Sequence, residues 1–194
     1  MNTFIDFQNS FDTFLKNGPD RFNTFKISLN LFLQRNGKVI VETGCQRQSE
    51  DWGAGMSTFI FGKFIKEFSP EAKLFTVDLS DFNIKIAKSL TKEYEKYVNY
   101  FVSDSLEYLK NFQGKIDLLY LDSYDWTPND PLDCQTHQLN EFLLAEDKLT
   151  DKSIVLLDDN DFPDGGKTKL TKDYLEKNNW ICLLDAKQSL WIKD

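Results

Sequence analysis

The sequence predicts a doubly wound α/β sheet, and three observations carry that expectation. Short apolar runs alternate with longer amphipathic segments, as parallel strands alternate with crossover helices. The central runs are apolar at successive positions, as strands covered on both faces require. No repeat, low-complexity tract or linker interrupts the alternation and the five prolines are dispersed, so the 194 residues are expected to form one domain.

Ahead of the first strand, residues 11–15 and 22–33 have helical spacing, and residues 1–36 are read as a helical cap on a core of residues 37–194. The first strand is residues 38–42 (KVIVE), followed by a helix at 57–68. Strands at 73–78 (KLFTVD), 99–103 (NYFVS), 116–121 (IDLLYL) and 153–157 (SIVLL) alternate with helices at 82–97, 106–112, 132–145 and 167–177. Asp81, and Asp104 or Ser105, stand where a side-chain oxygen caps free helix amides. Residues 180–184 and 189–192 close the chain with no long helix between them, which predicts a terminal hairpin with an antiparallel strand. The 17 phenylalanines concentrate in the N-terminal segments and the first crossover helix, where they read as core filling.

Hydrophobic residues are 41% and charged residues 28%, which excludes a disordered or collagen-like chain. The net charge is −8 and the lysines are scattered among acidic neighbours, so no phosphate-tracking surface for nucleic acid is expected. No basic, apolar leader opens the sequence and no run is long enough to span a bilayer, so neither secretion nor a membrane partner is expected. Cys45, Cys134 and Cys182 match neither a disulfide framework nor a zinc site; each reads as a small packing residue, and a reducing cytoplasm is the expected compartment.

The turn after the first strand offers Gly44, Gly53 and Gly55 for close approach of backbone to a ligand at a helix N-terminus. Eight residues separate Gly44 from Gly53, so the dinucleotide fingerprint is poorly matched. Glu42 ends the strand; a carboxylate there repels a pyrophosphate and favours an amine. Asp78 ends the second strand, where it can accept hydrogen bonds from a ribose diol. With these residues the chain resembles the class I S-adenosylmethionine-dependent methyltransferases. Glu42-x-Gly44 with Gly53-x-Gly55-x-Ser57-Thr58 resembles that family's first motif with an enlarged loop, Asp78 its ribose-binding residue, and Asp104-Ser105 its third-strand motif near the adenine. The resemblance covers roughly residues 38–194. It implies a Rossmann-like seven-stranded sheet of order 3-2-1-4-5-7-6 with the last strand antiparallel.

Carboxylates crowd two further strand ends: Asp122 and Asp125 in LDSYD, and Asp158, Asp159, Asn160 and Asp161 in LLDDND. Parallel strands open both ends on one edge, so Asp122, Asp159 and Asn160 make an oxygen set suited to a divalent cation such as magnesium. Asp158 and Asp161 read as part of a solvated acidic edge. The set resembles that of metal-dependent O-methyltransferases of the catechol O-methyltransferase type, and their macrolide-sugar relatives. In the catechol enzymes a lysine three residues after the first metal-binding Asp is the general base; Asp125 stands there in this chain, which leaves it as proton acceptor, further ligand or loop residue. His137, the single histidine, is a candidate proton shuttle and resembles an active-site histidine of the sugar-modifying relatives. The expectation is methyl transfer to a hydroxyl of a small-molecule acceptor, aided by metal, with Asp122, Asp125 and His137 as the catalytic candidates. A non-catalytic S-adenosylmethionine-binding module and a nicotinamide-dependent oxidoreductase are the alternatives. A homodimer through the N-terminal helices is a further expectation.

Overall fold

A computed structural model of the chain describes residues 18–49 and 56–193. In chain order its elements are α1 (Pro19–Gln34), β1 (Val39–Thr43), α2 (Ser57–Phe68), β2 (Lys73–Asp78), α3 (Asp81–Leu90), β3 (Val98–Val102), α4 (Ser105–Asn111), β4 (Ile116–Leu121), α5 (Pro131–Ala145), β5 (Leu149–Leu157), α6 (Lys169–Lys177), β6 (Trp180–Asp185) and β7 (Ser189–Lys193). The strands form one sheet of order β3-β2-β1-β4-β5-β7-β6. Neighbours from β3 to β5 are parallel, and β7 is antiparallel to both β5 and β6. This is the Rossmann-like sheet that the resemblance implies.

Strand side chains alternate between two apolar layers because the strand period is two. Ile40, Leu118, Tyr120, Ile154, Leu156 and Leu190 meet Phe25, Leu29 and Phe32 of α1 and Ile60, Phe61 and Phe64 of α2 on one face. Val41, Leu119, Leu121, Val155, Leu157 and Trp191 meet Leu109, Phe142 and Leu175 of α4, α5 and α6 on the other. The phenylalanines therefore fill the core as expected. Phe25 packs edge-on to Phe61, and Phe32 edge-on to Phe64, which draws α1 into the same layer as α2. From Pro19 onward the N-terminal segment is thus part of the layered core; the helix expected at 11–15 lies outside the described residues.

Three local expectations are corrected. The helix expected over 82–97 ends at Leu90, followed by a short 3-10 turn at Lys92–Tyr94. There the Thr91 amide and hydroxyl both donate to the Ala87 carbonyl, and the hydroxyl also meets the Tyr100 hydroxyl. Ser80, rather than Asp81, caps α3 by accepting from the Asn83 amide; Asp104 caps α4 by accepting from the Leu106 and Glu107 amides. Cys45 and Cys134 are buried, but Cys182 is exposed on the edge strand β6. No described helix is long and apolar enough to cross a membrane.

Candidate active site

The sheet register brings four strand ends to one edge. Thr43 of β1 is level with Val77 of β2 and Leu121 of β4, and Leu121 is level with Leu157 of β5. Gly44, Asp78, Asp122 and Asp158 therefore emerge side by side at the carboxyl edge, where ligands bind in open α/β sheets. Gly44 has a φ of 78°, and a Cβ on it would lie 2.3 Å from the Asp122 carbonyl oxygen. Only glycine lets the first loop cross so close to the end of β4.

A cleft of about 320 Å³ opens at this edge, near the lower end of the roughly 300–1,000 Å³ usual for small-ligand sites. Gly44, Ser57, Asp78, Asp104, Ser105 and His137 all line it, together with Asp122 and Asp125. The Asp78 carboxylate is oriented by its own loops: Oδ1 accepts from the Ser80 amide at 2.8 Å and the Asn83 side chain at 3.1 Å, and Oδ2 from the Cys45 amide at 3.3 Å. Cys45 is no nucleophile, because burial and the Asp78 charge hold its thiol far above the ordinary range. Gly53 and Gly55 lie outside the described residues, as does Trp52.

Glu42, expected to meet a ligand amine, does not line the cleft. Its side chain is 0% exposed beneath the first loop, where Oε2 accepts from the Thr58 hydroxyl at 2.8 Å. Thr58 in turn accepts from the Gln46 amide at 2.9 Å. The pair fastens the start of α2 to the end of β1. Burial pushes the Glu42 carboxyl up to about 7, against the hydroxyls of Ser57, Thr76 and Thr58, which favour the charged form.

His137 sits on α5 in the wall of the cleft. Its Nε2 lies 3.0 Å from the Ser105 hydroxyl and 3.6 Å from Glu141, which also accepts from the Ser123 hydroxyl at 2.6 Å. Burial disfavours charge on the imidazole, but Glu141 outweighs it and the pKa lies above the usual histidine value.

A second cleft, of about 290 Å³, is lined by Arg21, Trp126, Asp159 and Phe162 among others. It shares Arg47, Asp122 and Asp125 with the first, so the two meet at those side chains. Arg47 and Asp125 form a two-pronged ion pair at 2.9 and 3.2 Å, with Asp125 64% exposed. A pair so open to water contributes little to stability. Asp122 stands deeper: Oδ1 accepts from Lys167 Nζ at 2.6 Å and Oδ2 from the Tyr120 hydroxyl at 3.3 Å. Burial raises its pKa, Lys167 opposes the rise, and Asp158 and Asp159 add to it.

The expected ligand set for a divalent cation is not assembled. Asp122 and Asp159 do come together, but on the Lys167 ammonium, 2.6 and 3.0 Å away. Asn160 is engaged elsewhere: Oδ1 accepts from the Thr168 hydroxyl at 2.6 Å and Lys172 at 3.0 Å, while Nδ2 donates to Asp185 and the Ala186 carbonyl. Among the described residues, no three His, Cys, Asp or Glu side chains are grouped to hold a metal. These side chains do not fit a magnesium ion. Asp158 is likewise no solvated edge residue; it is 0% exposed and accepts from Arg21 Nε at 2.8 and 3.1 Å, from Gln188 at 3.0 Å and from the Tyr120 hydroxyl. Burial works against its charge, but Arg21 outweighs it and holds the carboxyl below the usual range.

Sequence reasoning missed Arg21, Arg47 and Lys167, the cations that partner the acidic strand ends. Only Lys167 had a local signal, the Gly165-Gly166 pair beside it.

A family model described as a methyltransferase domain matches residues 51–160, more than half of the chain. No curated protein matches the sequence. Among solved structures, SAH-bound methyltransferase PaMTH1 of Podospora anserina is 15% identical, with a TM-score of 0.61 over 98% of this chain and 87% of that one. An O-methyltransferase of Bacillus cereus in complex with SAH is 16% identical, with a TM-score of 0.60 over 88% and 81%. Apo CalS11, a TDP-rhamnose 3'-O-methyltransferase of calicheamicin biosynthesis, is 16% identical, with a TM-score of 0.64 over 98% and 86%. At these identities the likeness is one of fold.

Proposed function

Because the chain belongs to the methyltransferase domain family, we propose that it transfers a methyl group from S-adenosylmethionine to a hydroxyl of a small-molecule acceptor. The observation that carries the reading is the meeting of two clefts at Asp122: one is lined by Asp78 and Asp104, and the other opens toward Trp126 and Phe162. Bound in the first cleft, the cofactor supplies an electrophilic methyl carbon on a sulfonium sulfur. Asp78 would accept from the ribose hydroxyls, and Ser80, Asn83 and Cys45 hold its carboxylate in place. Gly44 gives backbone access at the strand end, Ser57 opens α2 beside it, and Asp104 and Ser105 would flank the base, with His137 beside the Ser105 hydroxyl. Gly53 and Gly55 belong to the same loop.

The acceptor would enter the second cleft, where Asp122 would take the proton of its hydroxyl; the bond from oxygen to the methyl carbon would form as the methyl–sulfur bond breaks, with S-adenosylhomocysteine as the leaving group. Asp125 is 64% exposed and faces Arg47, whereas Asp122 stands deeper where the two clefts meet, so Asp122 is the better-placed base. Positioning of the two reactants provides most of the acceleration, with the base adding about 10²–10⁴-fold. The likeness to CalS11, a sugar O-methyltransferase, supports a hydroxyl as the acceptor group.

The test uses methyl-labelled S-adenosylmethionine with a panel of sugar and catechol hydroxyl acceptors. Asp122→Asn is expected to lower labelled-product formation at least about 100-fold while S-adenosylhomocysteine affinity stays within about threefold. Undiminished transfer by Asp122→Asn removes it as the base. Cofactor binding with no transfer to any acceptor favours the non-catalytic module.

A further inference from the structure

We propose that Lys167 is a built-in cation that holds the place between Asp122 and Asp159 where a divalent metal would bind, so that this site is metal-free by construction. The proposal deepens the reading of the acidic edge as the reaction centre and rests on it.

The lysine is buried, with its side chain 1% exposed and Nζ 2.6 Å from Asp122 Oδ1 and 3.0 Å from Asp159 Oδ2. Those two carboxylates follow adjacent parallel strands, so the ammonium bridges the ends of β4 and β5 as a shared metal ion would. The backbone is arranged to put it there. The Lys167 amide donates to the Asp159 carbonyl at 3.0 Å, and Asp159 itself has a φ of 57°. Gly166, at φ 60°, passes so close that a Cβ on it would lie 2.0 Å from the same carbonyl oxygen. Gln135 of α5 pins the turn by donating to the Gly166 and Asp164 carbonyls at 3.0 and 3.2 Å. A long flexible side chain is thereby delivered inward from a fixed backbone, and its two carboxylate contacts offset the rotamer freedom that it loses on burial.

Charge and ligand count point the same way. Asp122, Asp158 and Asp159 face two cations, Arg21 and Lys167, through contacts at 2.6–3.5 Å. A divalent ion on Asp122 and Asp159 would sit against a buried ammonium, and like charges so close repel strongly away from water. The third oxygen that a metal needs, Asn160 Oδ1, already accepts from Thr168 and Lys172. Lys167 is therefore a positioning residue: it fixes the Asp122 carboxylate where the two clefts meet.

Mn²⁺ is titrated into the full chain and the free ion followed by electron paramagnetic resonance, for wild type, Lys167→Met, Asp159→Asn and the double variant. Wild type is expected to leave Mn²⁺ free up to about millimolar concentration. Lys167→Met is expected to bind one ion at least about tenfold more tightly, and Asp159→Asn in that background to remove the gain. One tight Mn²⁺ in wild type that Asp159→Asn abolishes overturns the proposal, as does a folded Lys167→Met no better at binding than wild type. Where Lys167→Met does not fold, wild type against Asp159→Asn decides alone. The readout needs neither cofactor nor acceptor, so its failure is separate from any failure of S-adenosylhomocysteine to bind.

Discussion

Glu42 is a carboxyl with no contact with water, and its cost depends on pH in a way that can be worked out. Its folded pKa of about 7 lies above the ordinary value of 4.5. Below the ordinary value the group is protonated both folded and unfolded and costs nothing. Between the two values folding takes up a proton, and above the folded value the full penalty of a buried charge is present, about 3 kcal/mol. Stability should therefore fall as pH rises from about 5 to 8, and Glu42→Gln should be spared that fall. Urea midpoints at the two pH values check it: the variant's advantage should widen by roughly 2–3 kcal/mol at pH 8. Parallel losses in both proteins would place the pH dependence elsewhere. The sequence showed an acid at the end of the first strand and suggested a ligand contact. The inward turn toward Thr58, 16 positions along the chain, left no local mark.

At the level of elements, α1 is held to the sheet by more than its phenylalanines. Arg21 reaches Asp158 at the end of β5 through a two-oxygen contact that spans 137 positions of sequence. A buried pair of this kind adds little over a well-packed apolar replacement, but removing one member strands the other's charge. Arg21→Ala is accordingly expected to cost about 3–5 kcal/mol in chemical denaturation, with Asp158→Ala costing a similar amount. A loss below about 1 kcal/mol would mean that water reaches Asp158 once the arginine is gone. The strands were legible because their apolar runs are short and bounded. The break at Thr91 was not, since the residues after it keep helical spacing while the chain tightens into a 3-10 turn. The cation partners of the acidic strand ends were hidden for a related reason: ion pairs between distant positions leave no periodic trace.

For the molecule as a whole, register turns a legible alternation into a site. Once Thr43, Val77, Leu121 and Leu157 are level, the residues after them must share one edge, and Gly44, Asp78 and Asp122 were readable there from sequence. What sequence could not supply is the charge balance at that edge, because it depends on where Lys167 and Arg21 return in space. The fold alone supports many chemistries, so the central claim stands on the cofactor. The most direct measurement is a calorimetric titration of S-adenosylhomocysteine into wild type and Asp78→Ala, in magnesium and again in chelator, with NAD as competitor. We expect saturable one-site binding to wild type, unchanged by chelator, unaffected by NAD and weakened at least about tenfold by Asp78→Ala, a difference of roughly 1.4 kcal/mol or more. No heat under any condition, or displacement by NAD, would contradict the methyltransferase reading and return Asp78 to a structural role.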